Sequence, residues 1–114
     1  MHTAHTIASA IPMLEEFLAI LEQAYWEASS MSSKDYLYDS ISTINNELSE
    51  LAKLSIQDHD LLYEPISPEF KVTLSRLPRF RESMNDFIGR GTTVITLDMA
   101  IAAILELTKE NTAM

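Results

Sequence analysis

Apolar residues recur at alternating steps of four and three positions through the middle of the chain, which is the period of an amphipathic helix. The clearest stripe with this spacing consists of Leu37, Ile41, Ile44, Leu48 and Leu51. Ser33 precedes the stripe and can cap the first turn, because its hydroxyl can accept a hydrogen bond from a free backbone N–H. No Gly or Pro interrupts residues 33–57. The pattern therefore predicts a helix over this range, with its apolar stripe buried in a core.

A second stripe with the same period predicts an earlier helix that begins near Ile11, with Ser9 as a possible cap. Its apolar members are Leu14, Phe17, Leu18, Leu21, Ala24, Tyr25 and Ala28. Only the serine-rich residues 29–33 separate the two helices. A link this short predicts that they lie antiparallel, as an αα-hairpin.

The second half of the chain predicts two further helices. Residues 67–69, Ser-Pro-Glu, combine the cap, the proline and the acid that are typical of a helix start. The stripe that follows consists of Phe70, Leu74, Leu77, Met84 and Ile88, flanked by Phe80 and Phe87. Pro78 lies within this helix and should kink it or split it, because proline has no backbone N–H to donate. Residues 92–95 are all β-branched and are predicted to be extended, with Thr96 capping a last helix.

Together these patterns predict an all-α fold, a compact four-helix bundle built on the N-terminal αα-hairpin with the third helix kinked at Pro78. The 114 residues fit a single domain, 1–114. Its polar ends, residues 1–9 and 110–114, are expected to fray. The last helix is apolar on nearly every side, which is more than so small a domain easily covers. That excess predicts a homodimer.

Charge and composition narrow the class of partner. The formal net charge is −9, and within residues 1–69 Lys34 and Lys53 are the only bases. Such a chain repels phosphates, so non-specific nucleic-acid binding is excluded. There are no cysteines, and the start of the sequence lacks the basic and apolar segments of a signal peptide. The longest apolar run, residues 99–105, is too short to span a bilayer. We therefore expect a cytoplasmic protein with no membrane partner.

Carboxylates on the second helix suggest one possible chemistry. Residues 46–51, Asn-Glu-Leu-Ser-Glu-Leu, resemble over that short span the E-L-x-E-L core of the all-α nucleoside triphosphate pyrophosphatases. The resemblance implies a magnesium-dependent enzyme in which Glu47 and Glu50 are joined by acids of a following helix, here Glu82 and Asp86. The alternative is that Glu47 and Glu50 belong to an ordinary solvent-exposed helix face.

Two histidine-containing segments are further candidates for binding a divalent cation. Residues 58–60, Asp-His-Asp, could do so with Glu64 nearby, although a histidine between acids in a loop usually faces solvent. His2 and His5 could share a metal if the N-terminal segment were helical. The sequence leaves open whether residues 58–60, or Glu47 and Glu50, bind a metal.

Basic side chains concentrate in residues 71–90 and are expected to pair with the acidic helices of the same chain. The alternative is contact with phosphate or RNA, although no Gly-rich phosphate loop accompanies the segment. Arg81 would point along the apolar stripe if the third helix ran on without interruption. A buried guanidinium requires an acidic partner. Glu47, at the border of the second helix's stripe, is the partner that we predict.

Trp26 breaks the pattern of the first helix, because it projects with Glu15, Ala19 and Glu22 on the side away from the stripe. An aromatic side chain within a charged rim is typical of a protein-binding hot spot. Ala19 would leave flat space beside the indole ring, and Glu15 and Glu22 would form the rim. The alternative is that the N-terminal segment or residues 58–66 cover Trp26.

No catalytic set and no cofactor motif can be recognised in the sequence. We therefore expect a small non-enzymatic interaction protein of the inhibitor, immunity, antitoxin or chaperone type. It would bind a basic protein through Trp26, Glu15, Ala19 and Glu22, because an acidic face attracts a basic one. Two alternatives stay open, a magnesium-dependent enzyme of the pyrophosphatase kind and a purely structural homo-oligomer.

Overall fold

Four helices account for most of the computed structural model, which describes residues 5–86 and 88–109. They are α1 (Ile7–Glu27), α2 (Met31–Ala52), α3 (Pro68–Ser83) and α4 (Gly91–Leu107). Short 3₁₀ segments at Ile56–Asp60 and Met84–Asp86 follow α2 and α3. The predicted all-α fold is confirmed.

Each helix packs against its two neighbours around a bundle in the order α1, α2, α3, α4. The three-residue link after Glu27 turns α2 back along α1. The Tyr36 ring stacks on Phe80 at 4.6 Å between centroids, and the hydroxyls of Thr43 and Thr73 lie 3.1 Å apart. Because the earlier residue of α2 meets the later residue of α3, these two helices are also antiparallel. The predicted four-helix bundle, with its N-terminal hairpin, is therefore confirmed.

The apolar stripes form one core, as their periods predict. Leu14, Phe17 and Leu21 of α1 are at most 1% exposed, and so are Leu37, Ile44 and Leu51 of α2. Burying one such side chain contributes roughly 1.5–3 kcal/mol. Two members of the predicted α2 stripe, Ile41 and Leu48, are only partly buried. The fully buried position beside Leu48 belongs to Glu47, which is 0% exposed.

Two of the predicted helix starts are wrong, because α1 and α4 both begin earlier in the chain than predicted. The α1 helix begins at Ile7 rather than near Ile11, and the Thr6 hydroxyl accepts from the Ser9 N–H at 3.2 Å. The residues predicted to fray therefore include part of a helix, whereas residues 1–4 and 110–114 lie outside the described chain. The α4 helix begins at Gly91 and not at Thr96. In α1 the buried stripe continues back through Ala10 to Ile7, and in α4 it continues back to Thr93. In α4, packing therefore outweighs the weak helix propensity of the β-branched residues.

The N-cap predicted for α2 is wrong, and the N-cap predicted for α3 is confirmed. Ser30, not Ser33, caps α2, because the Ser30 hydroxyl accepts from the Ser33 N–H at 3.1 Å. Ser67 caps α3 as predicted, accepting from the Phe70 N–H at 3.3 Å. The α3 helix runs through Pro78 to Ser83 without being split in two. Phe87 of the predicted stripe lies outside the described residues.

Glu47 ties α2 to the loop before α3. Its Oε2 accepts from the Tyr63 hydroxyl at 2.6 Å and from the Ile66 N–H at 2.9 Å. Its Oε1 accepts from the Ser67 N–H at 2.9 Å. Ser67 is the N-cap of α3, so the carboxylate also lies at the positive end of that helix dipole. The buried charge is thus stabilised by aligned neutral donors.

The predicted pairing of Glu47 with Arg81 is wrong. The Arg81 side chain is 37% exposed, and its Nε donates to Asp98 of α4 at 2.6 Å. A second bond, from Arg81 Nη2 to Asp98 Oδ2, measures 3.3 Å. The hydrogen bonds from Arg81 hold the pKa of Asp98 below its usual range. Arg81 lies near the end of α3 and meets α4, whereas Glu47 meets the start of α3.

Replacing Glu47 with Ala should therefore destabilise the fold strongly. Three donors would lose their acceptor, and two of them, the Tyr63 hydroxyl and the Ser67 N–H, are buried. Each buried loss costs about 1–3 kcal/mol, so we expect a total of about 3 kcal/mol in urea unfolding. The matched control is Glu50→Ala, one turn away on α2, where the carboxylate pairs with Lys53 at the surface. That change should cost less than about 1 kcal/mol. Equal losses for the two variants would contradict the role assigned to Glu47.

Alkaline pH should destabilise the protein through Tyr63. Burial raises the pKa of the Tyr63 hydroxyl well above its usual value of 10.0, and the bond to Glu47 and its charge raise it further. The folded state then keeps a proton that the unfolded chain loses, so the free energy of unfolding should fall as pH rises above about 10, by at most about 1.4 kcal/mol per pH unit. Burial also raises the pKa of Tyr36.

Urea unfolding between about pH 9 and 11 measures this effect, with Tyr63→Phe as the comparison. The variant should start from lower stability and lose less of it over that range. Parallel pH profiles for the two proteins would show that Tyr63 does not carry the effect.

Candidate partner-binding site

The four residues predicted to form a partner surface lie on one exposed side of α1. Glu15, Ala19, Glu22 and Trp26 are all exposed, on successive turns of the helix. Their spacing of three or four residues follows the helical repeat, so they form a continuous strip. Trp26 is 78% exposed. This is high for a tryptophan, which is usually well covered in folded proteins.

Trp26 adjoins a groove between α1 and α2, which we call the aromatic groove. It encloses about 370 Å³ and is lined by Glu22, Tyr25, Trp26, Tyr38 and Ile41. The rings of Tyr25 and Trp26 lie 5.2 Å apart between centroids, at 85° to each other. Edge-to-face packing of this kind is a favoured arrangement of aromatic pairs. The Tyr38 side chain is 62% exposed on the α2 side.

Lys34 holds the Tyr25 side of the groove in place. Its Nζ donates to the Tyr25 carbonyl oxygen at 2.6 Å. The same ammonium lies 4.6 Å from the centroid of the Tyr25 ring. The second contact is a cation–π interaction, which is worth about 0.5–1 kcal/mol at a partly exposed site. Lys34, in the first turn of α2, thus orders the ring that packs against Trp26.

Residues 58–66, the predicted alternative cover for Trp26, pack against the opposite end of α1. The Ile7 N–H donates to the Leu61 carbonyl at 2.9 Å, and the Tyr63 N–H donates to the His5 carbonyl at 2.8 Å. Ile7 and Trp26 are separated by about 28 Å along the helix, at 1.5 Å per residue. This segment therefore closes the beginning of α1 and does not cover Trp26.

Sequence reasoning missed three of the residues that line the aromatic groove. Tyr25 and Ile41 were assigned to the core stripes, but both are only partly buried at the edge of the helix pair. Tyr38 received no role, although it follows Leu37 just outside the α2 stripe. It stands apart from that stripe as Trp26 stands apart from the stripe of α1. Two off-stripe aromatic residues on adjoining helices were the signal that could have identified the groove.

The candidate metal ligands are not brought together. Among residues 5–86 and 88–109, no group of three His, Asp or Glu side chains is placed to hold a metal ion. Glu47 is occupied by its three donors, and Glu50 pairs with Lys53 at 3.0 Å. Residues 58–60 belong to the 3₁₀ segment Ile56–Asp60. His2, the other half of the pair with His5, lies outside the described residues.

A second groove lies on the other side of α1, between that helix and α4. It encloses about 380 Å³, and its lining includes Met13, Phe17 and Ile20 of α1, with Met99 and Ala103 of α4. Glu16 contributes a carboxylate and Thr96 a hydroxyl to an otherwise apolar lining. Ile95 and Met99 of α4 are 62% and 67% exposed. We call the exposed residues Ile95, Thr96, Met99, Ala102 and Ala103 the outer face of α4.

Comparisons with known proteins add no relative. No family model matches the sequence, and searches of curated proteins and of solved structures find no match. No helix in the described part of the chain is both long enough and apolar enough to cross a bilayer. The fold and the aromatic groove define a small helical-bundle protein with an open aromatic surface, and its function has to be inferred from that geometry.

Proposed function

We propose that this chain is a small, acidic, non-enzymatic interaction protein that binds a basic surface of another protein. The binding surface is the strip of Glu15, Ala19, Glu22 and Trp26, together with the adjoining aromatic groove. The observation that carries the proposal is the 78% exposure of Trp26 beside that groove. An exposed tryptophan beside carboxylates, here Glu22 and Glu15 on the preceding turns of α1, has the composition of an interface hot spot.

Charge favours a basic partner over a neutral or acidic one. The chain carries a formal net charge of −9, and Glu15 and Glu22 are exposed on either side of Ala19. A field of this sign accelerates encounter with a positively charged protein and opposes encounter with an acidic one. Binding of this kind can itself be the activity, as in inhibitors, immunity proteins, antitoxins and chaperones. We also propose that the protein is cytoplasmic, as expected from the sequence.

The magnesium-dependent enzyme gains no support from the geometry. Its central carboxylate, Glu47, is buried and accepts hydrogen bonds from Tyr63, Ile66 and Ser67. A magnesium ligand has to reach a hydrated ion and a substrate phosphate. Glu47 fastens the loop before α3 instead.

Trp26→Ala is the test of the proposal. Because the indole is largely in water, we expect the isolated fold to keep its free energy of unfolding within about 1 kcal/mol. Binding of the partner should weaken more than tenfold, which is about 1.4 kcal/mol or more. A matched control is Val72→Ala, since Val72 is 50% exposed on α3. It should leave binding unchanged.

The partner is first captured from a lysate with the wild-type chain and identified by mass spectrometry. Its affinity for the wild type and both variants is then measured with purified protein. A basic partner that is lost only with Trp26→Ala supports the proposal. A partner that binds the wild type and Trp26→Ala equally well, or whose binding surface is acidic, contradicts it.

Self-association is a second candidate, favoured by the outer face of α4. This face presents mainly apolar side chains, with Glu16 beside it in the groove and Glu106 one turn beyond Ala102 and Ala103, so two copies that meet along it would bring apolar surfaces together. Ala102 and Ala103 would let a second helix approach closely. A homodimer with the same face on both subunits is the commonest symmetric arrangement. We propose a weak dimer of this kind, as the apolar excess of α4 predicts.

Met99→Glu should abolish that dimer by placing a charge on the apolar face. In sedimentation experiments at high micromolar concentration, we expect the wild type to show a concentration-dependent mass. We expect Met99→Glu to stay monomeric, with an association constant at least tenfold lower. Val72→Glu adds the same charge on α3 and should behave like the wild type. A wild type that is monomeric throughout, or that Met99→Glu leaves associated, contradicts the proposal.

A further inference from the structure

We infer that the aromatic groove is a recognition site for one arginine side chain, with the guanidinium stacked on Trp26 and paired with the Glu22 carboxylate. The inference rests on the proposed function, because it names the chemical group through which the basic partner would be held. It goes beyond that proposal by assigning the groove a ligand class that can be tested without the partner.

The size of the groove suits a single long side chain. Its volume of about 370 Å³ is near the lower end of the range for small-molecule sites. The groove is open along the seam between α1 and α2, and Trp26 and Tyr38 are 78% and 62% exposed beside it. A flexible side chain of a partner can therefore enter without displacing either helix.

The lining combines aromatic rings with a carboxylate. Glu22 contributes a negative charge, and Tyr25, Trp26 and Tyr38 contribute electron-rich rings. Ring faces attract cations, and tryptophan does so most strongly. An anionic ligand would be repelled by Glu22, and a purely apolar one would bury that carboxylate without a partner. A cation with an aliphatic stem satisfies both parts of the lining, because its stem can pack on Ile41.

Lys34 already makes this kind of contact within the molecule. Its ammonium lies 4.6 Å from the Tyr25 centroid and donates to the Tyr25 carbonyl. Tyr25 is therefore committed to Lys34 and to the edge-to-face contact with Trp26. Trp26 and Tyr38 remain as the rings available to a second cation. The positive charge of Lys34 repels a second cation. The negative charge of Glu22 in the groove attracts that cation and offsets the repulsion.

Arginine fits this site better than lysine does. The guanidinium is planar, so it can stack on an indole while its edge donates two hydrogen bonds to a carboxylate. It is also less strongly hydrated than an ammonium, and leaving water costs it less. A lysine could use the ring or the carboxylate but could not lie flat against one and bind the other through two donors. We therefore expect the groove to prefer arginine.

Short peptides test this inference directly, with Trp26, the only tryptophan in the chain, as a fluorescent reporter. Three tripeptides, acetyl-Gly-X-Gly-amide, carry arginine, lysine or citrulline at X. Citrulline keeps the size and planarity of arginine but has no charge. We expect the arginine peptide to bind at least fivefold more tightly than the citrulline peptide, with the lysine peptide between them.

Glu22→Gln supplies the second arm of the test, and Glu16→Gln is its matched control. Both residues are exposed on α1, and Glu16 lines the groove on the α4 side. The two variants have the same net charge, so any long-range effect is shared. Glu22→Gln should reduce the preference for arginine over citrulline at least threefold, and Glu16→Gln should leave it within a factor of two. Circular dichroism checks that both variants are folded.

The outcomes separate this inference from the proposed function. No detectable binding, equal binding of arginine and citrulline, or equal effects of the two glutamine variants overturns the arginine site. If partner binding still depends on Trp26 in that case, the proposed function stands without it. If the groove selects arginine but the captured partner ignores Trp26→Ala, the arginine site stands and the proposed function fails.

Discussion

A single buried carboxylate connects the two halves of this bundle. Glu47 lies on α2, and its carboxylate oxygens accept hydrogen bonds from Tyr63, Ile66 and Ser67, which lie just before α3. Tyr63 also donates its N–H to the His5 carbonyl beside α1. One residue of α2 thereby sets the position of α3 and, through Tyr63, of the segment against which α1 begins. A charged group is stable in that position only because every bond that it accepts comes from an ordered donor.

That constraint leaves the Trp26 side of the hairpin's other end exposed, although Ile88 and Thr93 contact that end at Ala28 and Glu27. The segment between α2 and α3 is held against the start of α1, about 28 Å along the helix from Trp26. The hairpin then closes through the contact of Lys34 with Tyr25, which orders one ring and leaves Trp26 and Tyr38 exposed. The same fold thus provides a rigid support and an open aromatic surface. Rigidity favours binding because little side-chain or backbone freedom is lost when a partner docks.

Much of the fold could be predicted from the period of the apolar residues, because helix faces that pack together must repeat at the helical period. Helix starts were less predictable. Ser30 and Ser33 are both good caps, and only packing decides between them. Glu47 could not be predicted as core, since its burial depends on donors from residues 63–67 that no local pattern reveals. The place of Trp26 off the stripe indicated a position on the surface of α1, but the sequence left open whether another segment covers it. The groove beside it did not, because it requires the register of α2 against α1.

The aromatic binding surface requires Trp26 to lie in water in the folded protein, and the fluorescence of Trp26 measures that directly. Because Trp26 is the only tryptophan, its emission and its quenching by acrylamide report on one site. At low concentration, where self-association is negligible, the folded protein should emit close to the wavelength of the urea-unfolded chain. Its quenching constant should be at least half that of the unfolded chain. A strongly blue-shifted emission with nearly complete protection from quenching would place Trp26 in a core and contradict the account.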